Sequence, residues 1–84
     1  MKAVLAKRVD SGVADLSELR DLAAAAGYEV VGELTQTRAE DTAHHFGQGK
    51  VTEIAELVAR TDAETAIIDN EVGPYQMFNI GRIL

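Results

Sequence analysis

The sequence predicts an α/β fold: a small three-layer domain with a mainly parallel three-stranded sheet and the element order β-α-β-α-β-α. Short β-prone runs alternate along the chain with segments of helical periodicity. Such alternation favours right-handed crossovers and therefore a parallel sheet between helices. With 84 residues, of which 46% are hydrophobic, the chain has room for one domain that buries about 60–65% of its unfolded surface.

Three short runs predict the strands. Residues 3–6 form an apolar run that suits a strand covered on both faces and is too short for a helix. Residues 29–37 are rich in valine and threonine and end where a polar cluster begins. Residues 65–69 contain two adjacent isoleucines and run into an acidic segment. The chain therefore predicts a sheet of three strands.

Three segments with apolar residues at helical spacing predict the helices. The start of the first is marked by Asp15 and Glu18, which are three residues apart as in a capping box, and its end is marked by Gly27. The third opens at Pro74, because proline suits the first turn of a helix. In chain order, the apolar positions are Leu16, Leu19, Leu22, Ala23 and Ala26; Val51, Ile54, Ala55, Leu57 and Val58; and Met77, Phe78 and Ile80.

Composition excludes several classes of function. Eight basic and fourteen acidic residues give a net charge of −6, which argues against a broad electrostatic footprint for nucleic acid. The chain has no cysteine, so disulfides, thiolate metal sites and a cysteine nucleophile are excluded. The N-terminus has neither the apolar length of a membrane span nor the pattern of a signal peptide. We therefore expect a cytoplasmic location and no membrane partner.

Gly47, Gly49 and Lys50 are the first candidate site. They precede a predicted helix, where free backbone N–H groups and the positive helix end suit a phosphate or nucleotide. A Walker A loop would need glycine at the position of His44 and a hydroxyl at that of Val51, so this is not a P-loop. The competing interpretation is a tight strand-to-helix connection with Lys50 exposed to solvent.

Asp69 and Glu71 are the second candidate, because ligands of open α/β sheets tend to bind at the carboxyl ends of strands. A phospho-acceptor site of receiver type would need further carboxylates directly after the first strand, where this chain has Lys7 and Arg8. We therefore expect a solvated turn over residues 69–71 that favours the start of the following helix.

His44 and His45, close to Asp41, are the third candidate. Adjacent histidines in a strand point to opposite sides, and the chain has no third histidine or cysteine to complete a transition-metal site. Ser11 and Ser17 lie far along the chain and in no nucleophile elbow, so a serine triad has no support. We expect no catalytic residue and no metal site here.

Three segments in order resemble the N-terminal domain of HflX-type GTPases: LTQTR at 34–38, FGQGKVTEI at 46–54 and DNEVGPYQMFNIG at 69–81. Val72, Phe78 and Gly81 depart from the usual family pattern, and the form of the last segment is similar to the archaeal branch. The matching residues are Thr35 and Gln36; Gly47, Gly49, Lys50, Val51, Glu53 and Ile54; and Asp69, Glu71, Pro74, Gln76, Asn79 and Ile80.

The resemblance implies that residues 1–84 are the N-terminal part of a longer protein, followed by a helical extension and a Ras-like G domain that holds GTP and Mg²⁺. It implies a ribosome-binding and regulatory role at the large ribosomal subunit, with the protein's own G domain as a second partner. In some relatives this region binds ATP, which points again to Gly47, Gly49 and Lys50. The alternative is a free-standing nucleotide- or phosphate-binding domain, and the exposed edges of a three-stranded sheet allow a homodimer of the isolated fragment.

Overall fold

Three strands and three helices alternate along the chain in the computed structural model, which describes residues 1–84. The strands form one parallel sheet in the spatial order second, first, third. This confirms the predicted fold class and element order. None of the helices has the length and apolar character needed to cross a bilayer. In chain order, the elements are β1 (Lys2–Val9), α1 (Ser17–Ala25), β2 (Glu29–Thr37), α2 (Gln48–Thr61), β3 (Thr65–Ile68) and α3 (Pro74–Ile83).

The central strand β1 supplies the core on both faces of the sheet. Its residues 3–6 are all fully buried, because side chains alternate between faces and each face is covered. On one face, Leu5 packs with Leu16 and Ala23 under α1. On the other, Ala6 packs in a cluster formed by α2, α3 and the loop before α2: Phe46, Val51, Ile54 and Ile80. The domain therefore has three layers, with α1 alone on one face and α2 and α3 together on the other.

Strand β1 is longer than the predicted run 3–6, because two charged residues continue it. Lys7 and Arg8 pair in parallel with Thr35 and Gln36 of β2. Arg8 is only 8% exposed, and its guanidinium donates to the carbonyl oxygen of Arg38 at 2.7 Å and forms an ion pair with Asp10. A buried cation is tolerated where such partners exist.

The ends of α1 match the sequence signals only in part. The predicted capping box was wrong: Leu16 is the N-cap, and Asp15 Oδ1 accepts a hydrogen bond from the Ser17 N–H at 2.9 Å without a reciprocal bond from Glu18. The helix does stop before Gly27, which has φ +89°, a backbone conformation that suits glycine. Leu22 of the predicted apolar stripe is 59% exposed, so the buried stripe is narrower than predicted.

Candidate functional site

Residues 39–47, which lie in the connection from β2 to α2, form a folded turn that is called the 39–47 loop below. Asp41 and His45 exchange two backbone hydrogen bonds of 2.9 Å. The Asp41 carboxylate accepts from the N–H groups of His44 at 2.8 Å and Ala43 at 3.0 Å. These N–H groups, that of His44 foremost, hold the pKa of the Asp41 carboxyl below its ordinary value. The loop is thus closed by its own backbone around one carboxylate.

Three side-chain amides attach the 39–47 loop to the sheet and to α3. Gln36 of β2 accepts from the Gly47 N–H at 2.9 Å. Gln76 donates to Asp41 O at 3.0 Å and to the Glu40 carboxylate at 2.6 Å, and its own oxygen accepts from the Gly73 N–H at 3.0 Å. Asn79 donates to the Ala43 carbonyl at 2.9 Å. We call Gln36, Gln76 and Asn79 the amide clamp.

The amide clamp gives a structural role to some of the residues that carry the sequence resemblance. Its members come from the first and third of the similar segments, and they converge on the loop that leads into the second. Each amide bonds to a backbone group 11 or 35 to 36 residues away along the chain. These side chains therefore fix the shape of the loop.

The structure brings Gly47, Gly49 and Lys50 together at the start of α2, as predicted. The Gly47 N–H is already bonded to Gln36, and the Lys50 ammonium lies 2.8 Å from the Glu53 carboxylate. The Lys50 side chain is only 20% exposed, so it is less exposed than expected. The N–H groups of Gln48 and Gly49 make no hydrogen bond within the chain. These two N–H groups are what the helix start can offer an anion.

The carboxyl ends of β1 and β3 are joined by side chains that follow β3. Lys7 forms an ion pair with Asp69 at 3.2 Å. Asn70 bonds to both backbone groups of Arg8, accepting from its N–H at 2.8 Å and donating to its carbonyl at 2.9 Å. The predicted solvated turn therefore applies to Glu71, which is exposed, whereas Asn70 continues the sheet. The signal for this role was an amide two positions after the end of β3.

An open groove of about 550 Å³ lies beside this edge, between the 39–47 loop and the start of α3. Glu40 and Glu71 both line it, so its charge is negative. Tyr75 also lines the groove and is 65% exposed. The groove therefore presents acidic and aromatic side chains next to the amide clamp.

The two histidines lie in the 39–47 loop and not in a strand. His44 Nδ1 is 3.4 Å from the Asp41 carboxylate. His45 is buried with φ +68°, its Nε2 accepts from Arg8 Nε at 3.3 Å, and its Nδ1 has no partner. Its ring stands edge-on to Phe46. No group of three or more metal-ligating side chains is present. The contacts of the two histidines instead help to hold the 39–47 loop in place.

Comparison with known families identifies the domain. The family model described as "GTP-binding GTPase N-terminal" matches residues 13–84. The chain belongs to this GTPase N-terminal family. The match includes all three similar segments and the whole amide clamp, and together with the curated relatives described next it confirms the resemblance to HflX-type proteins.

Curated relatives of this GTPase N-terminal domain carry the name GTPase HflX. The protein of Thermofilum pendens is 41% identical over 76 residues, which cover 86% of this chain and 18% of the relative. The Escherichia coli protein is 35% identical over 75 residues, covering 88% of this chain and 18% of the relative. The Thermococcus kodakarensis protein is 34% identical over 68 residues, covering 81% and 15%. The chain thus spans less than a fifth of the length of these relatives.

Proposed function

We propose that this chain is the ribosome-binding and regulatory N-terminal domain of an HflX-type GTPase, whose helical extension and G domain follow residue 84. The observation that carries the proposal is the family match over residues 13–84. In this proposal GTP and Mg²⁺ bind in the G domain, and the partners are the large ribosomal subunit and that same G domain. The proposed location is the cytoplasm, and the form of the segment 69–81 supports the archaeal branch.

The geometry of the motif residues supports a binding role. Each residue of the amide clamp makes a hydrogen bond to a backbone group of the 39–47 loop. A loop held in this way is a preorganised surface, and preorganisation lowers the entropy lost on binding. The features that identify the family thus shape a contact surface next to the groove lined by Glu40 and Glu71.

The basic residues of the chain indicate how such a surface would bind a ribosome. Four of the eight basic residues form ion pairs with carboxylates of the same chain: Lys7, Arg8, Arg20 and Lys50. Few cations therefore remain to neutralise phosphates, and the affinity of a protein for nucleic acid depends on salt in proportion to the phosphates it neutralises. We propose that the domain contributes shape-specific contacts with little dependence on salt.

Removal of residues 1–84 from the full-length protein should weaken its binding to large ribosomal subunits about tenfold, or about 1.4 kcal/mol. The salt dependence of the remaining binding should stay nearly the same. Cosedimentation at several salt concentrations measures both quantities. The rate of single-turnover GTP hydrolysis should also rise, because the domain is proposed to restrain the G domain.

The control is the affinity of the truncated protein for GTP, which should equal that of the full-length protein if the G domain is still folded. Unchanged binding to the ribosomal subunit, together with unchanged hydrolysis, would remove the proposed role. A strong decrease in the salt dependence would show that the domain binds mainly through phosphates.

The alternative function is a nucleotide- or phosphate-binding domain that acts on its own, with Gly47, Gly49 and Lys50 at its site. The free N–H groups of Gln48 and Gly49 favour this alternative. Lys50 would first have to leave Glu53, from which it is separated by 2.8 Å.

Calorimetric titration of ATP, GTP and GDP with Mg²⁺ into the 84-residue chain distinguishes the two functions. The alternative predicts saturable binding that Lys50→Ala abolishes and that Lys2→Ala, an exposed lysine at the opposite end of the sheet, leaves unchanged. The regulatory proposal predicts no saturable heat with any of the three nucleotides. Binding that survives Lys50→Ala would place the nucleotide elsewhere in the domain.

A further inference from the structure

The groove of about 550 Å³ between the 39–47 loop and the start of α3 carries a negative charge that no basic residue balances. Glu40 and Glu71 line the groove and are exposed. Neither carboxylate forms an ion pair, and none of the eight lining residues is lysine, arginine or histidine. The groove therefore presents two uncompensated negative charges to solvent.

Tyr75 adds an aromatic surface to these two charges. Its side chain lines the groove and is 65% exposed, next to Pro74 at the first position of α3. The face of a tyrosine ring attracts a guanidinium or an ammonium group. A guanidinium is the better match, because its plane can stack on the ring while its N–H groups donate to a carboxylate. The groove volume is within the range of about 300–1,000 Å³ that is usual for ligand sites, so an arginine side chain has room in it.

One side of the groove is fixed before a partner arrives. Gln76 is 7% exposed and donates to the Glu40 carboxylate at 2.6 Å and to the Asp41 carbonyl at 3.0 Å. The amide clamp thus holds one carboxylate in place, which lowers the entropy lost on binding. The start of α3 contributes only about half a positive charge, which the two carboxylates outweigh. No three metal-ligating side chains lie together, so the groove suits an organic cation better than a metal ion.

We infer that this groove binds an arginine side chain of a basic protein of the large ribosomal subunit, so that this face of the domain contacts protein and not RNA. The inference rests on the proposed function in one respect, that the domain binds this subunit. The arginine stacks on Tyr75 and donates to the Glu71 carboxylate. Phosphates of RNA would be repelled by the two carboxylates, whereas a basic protein is attracted by them and by the net charge of −6.

The protein's own chain after residue 84 is the competing occupant of the groove. That chain leaves α3 at Leu84, at the opposite end of the helix from Tyr75. A helix of 10 residues is about 15 Å long, so the residues that follow start away from the groove. An arginine of the G domain would have to return to the start of α3, and it would occupy the groove in the absence of ribosomes as well.

Cosedimentation of the full-length protein with purified large ribosomal subunits tests the charge and the ring separately. Glu71→Gln and Tyr75→Ala should each weaken binding about threefold. The matched control is Glu56→Gln, at an exposed glutamate of α2 that forms no ion pair, which should leave binding unchanged. Tighter binding of Glu71→Gln would overturn the inference and show that the groove faces phosphates. Binding equal to that of the control would also overturn it and leave Glu71 only an effect on the start of α3.

A photochemical cross-link identifies the partner directly. With p-benzoylphenylalanine in place of Tyr75, the full-length protein bound to purified subunits should form a product with a subunit protein, at a peptide that contains arginine. A product with ribosomal RNA would overturn the inference. A product with the protein's own G domain, formed without ribosomes, would overturn it as well.

The inference and the proposed function can fail separately. If removal of residues 1–84 leaves binding to the subunit unchanged, the proposed function fails. If that removal weakens binding while Glu71→Gln and Tyr75→Ala do not, only the inference about the groove fails.

Discussion

Phe46→Ala should lower the free energy of unfolding of this domain by about 3–5 kcal/mol, the usual cost of removing a buried phenylalanine side chain. Phe46 is 1% exposed and packs with Ala6, Val51, Ile54 and Ile80. It therefore joins the central strand to both helices on that face of the sheet. Because small domains have a total stability of about 5–15 kcal/mol, we expect a much lower midpoint in urea unfolding followed by circular dichroism.

Phe78→Ala is the matched control for this experiment. Phe78 is 63% exposed, and its only aromatic-type contact is the Arg82 guanidinium, 5.9 Å from the ring centroid. The same chemical change there should cost no more than about 0.5–1 kcal/mol. Similar losses at both positions would mean that Phe46 is not the centre of the core described here.

Gln76→Ala should cost about 2–4 kcal/mol, because it leaves several polar groups without partners in a partly buried place. Gln76 is 7% exposed, and its amide serves the Gly73 N–H, the Asp41 carbonyl and the Glu40 carboxylate. Its removal should also release the 39–47 loop. We expect faster amide exchange of Asp41 and His45, whose N–H groups close the loop.

Gln48→Ala provides the comparison with the same side chain. Gln48 is exposed at the first position of α2 and makes no side-chain hydrogen bond within the chain. A change of less than about 0.5 kcal/mol is therefore expected from unfolding in urea. If Gln76→Ala were equally neutral, or if it destabilised the domain without faster exchange in the 39–47 loop, the amide clamp would not control the loop.

Local sequence signals were sufficient to predict the bounds of an element where these depend on nearby residues. The predicted second strand, 29–37, has the same bounds as β2, and Pro74 opens α3 as predicted. The first strand was predicted too short, because Arg8 reads as a strand end in isolation. Its burial depends on the Arg38 carbonyl, thirty positions away along the chain. No local pattern reports such a partner, since the sheet has to form before the two groups meet.

The candidate site, like the fold, was predictable from the sequence only where it depends on residues that are neighbours along the chain. The sequence placed Gly47, Gly49 and Lys50 together before a helix, which the structure has at the start of α2. It did not indicate that Gln36 takes the Gly47 N–H, because that bond depends on where the chain returns after the 39–47 loop. Gln76 and Asn79 were singled out only by family resemblance. Their partners lie 35 to 36 residues away, beyond the reach of helical or strand periodicity.

The central position of β1 has a consequence for synthesis of the protein. β1 is translated before both of the strands that flank it in the sheet, and the second of them ends at Ile68. At ordinary translation rates, the 59 positions between the ends of β1 and β3 take about 3–12 s. During that time the apolar residues 3–6 of the nascent chain have no complete sheet to join. Strand β1 therefore lacks one of its two neighbours until β3 has left the ribosomal tunnel and the sheet can close around it.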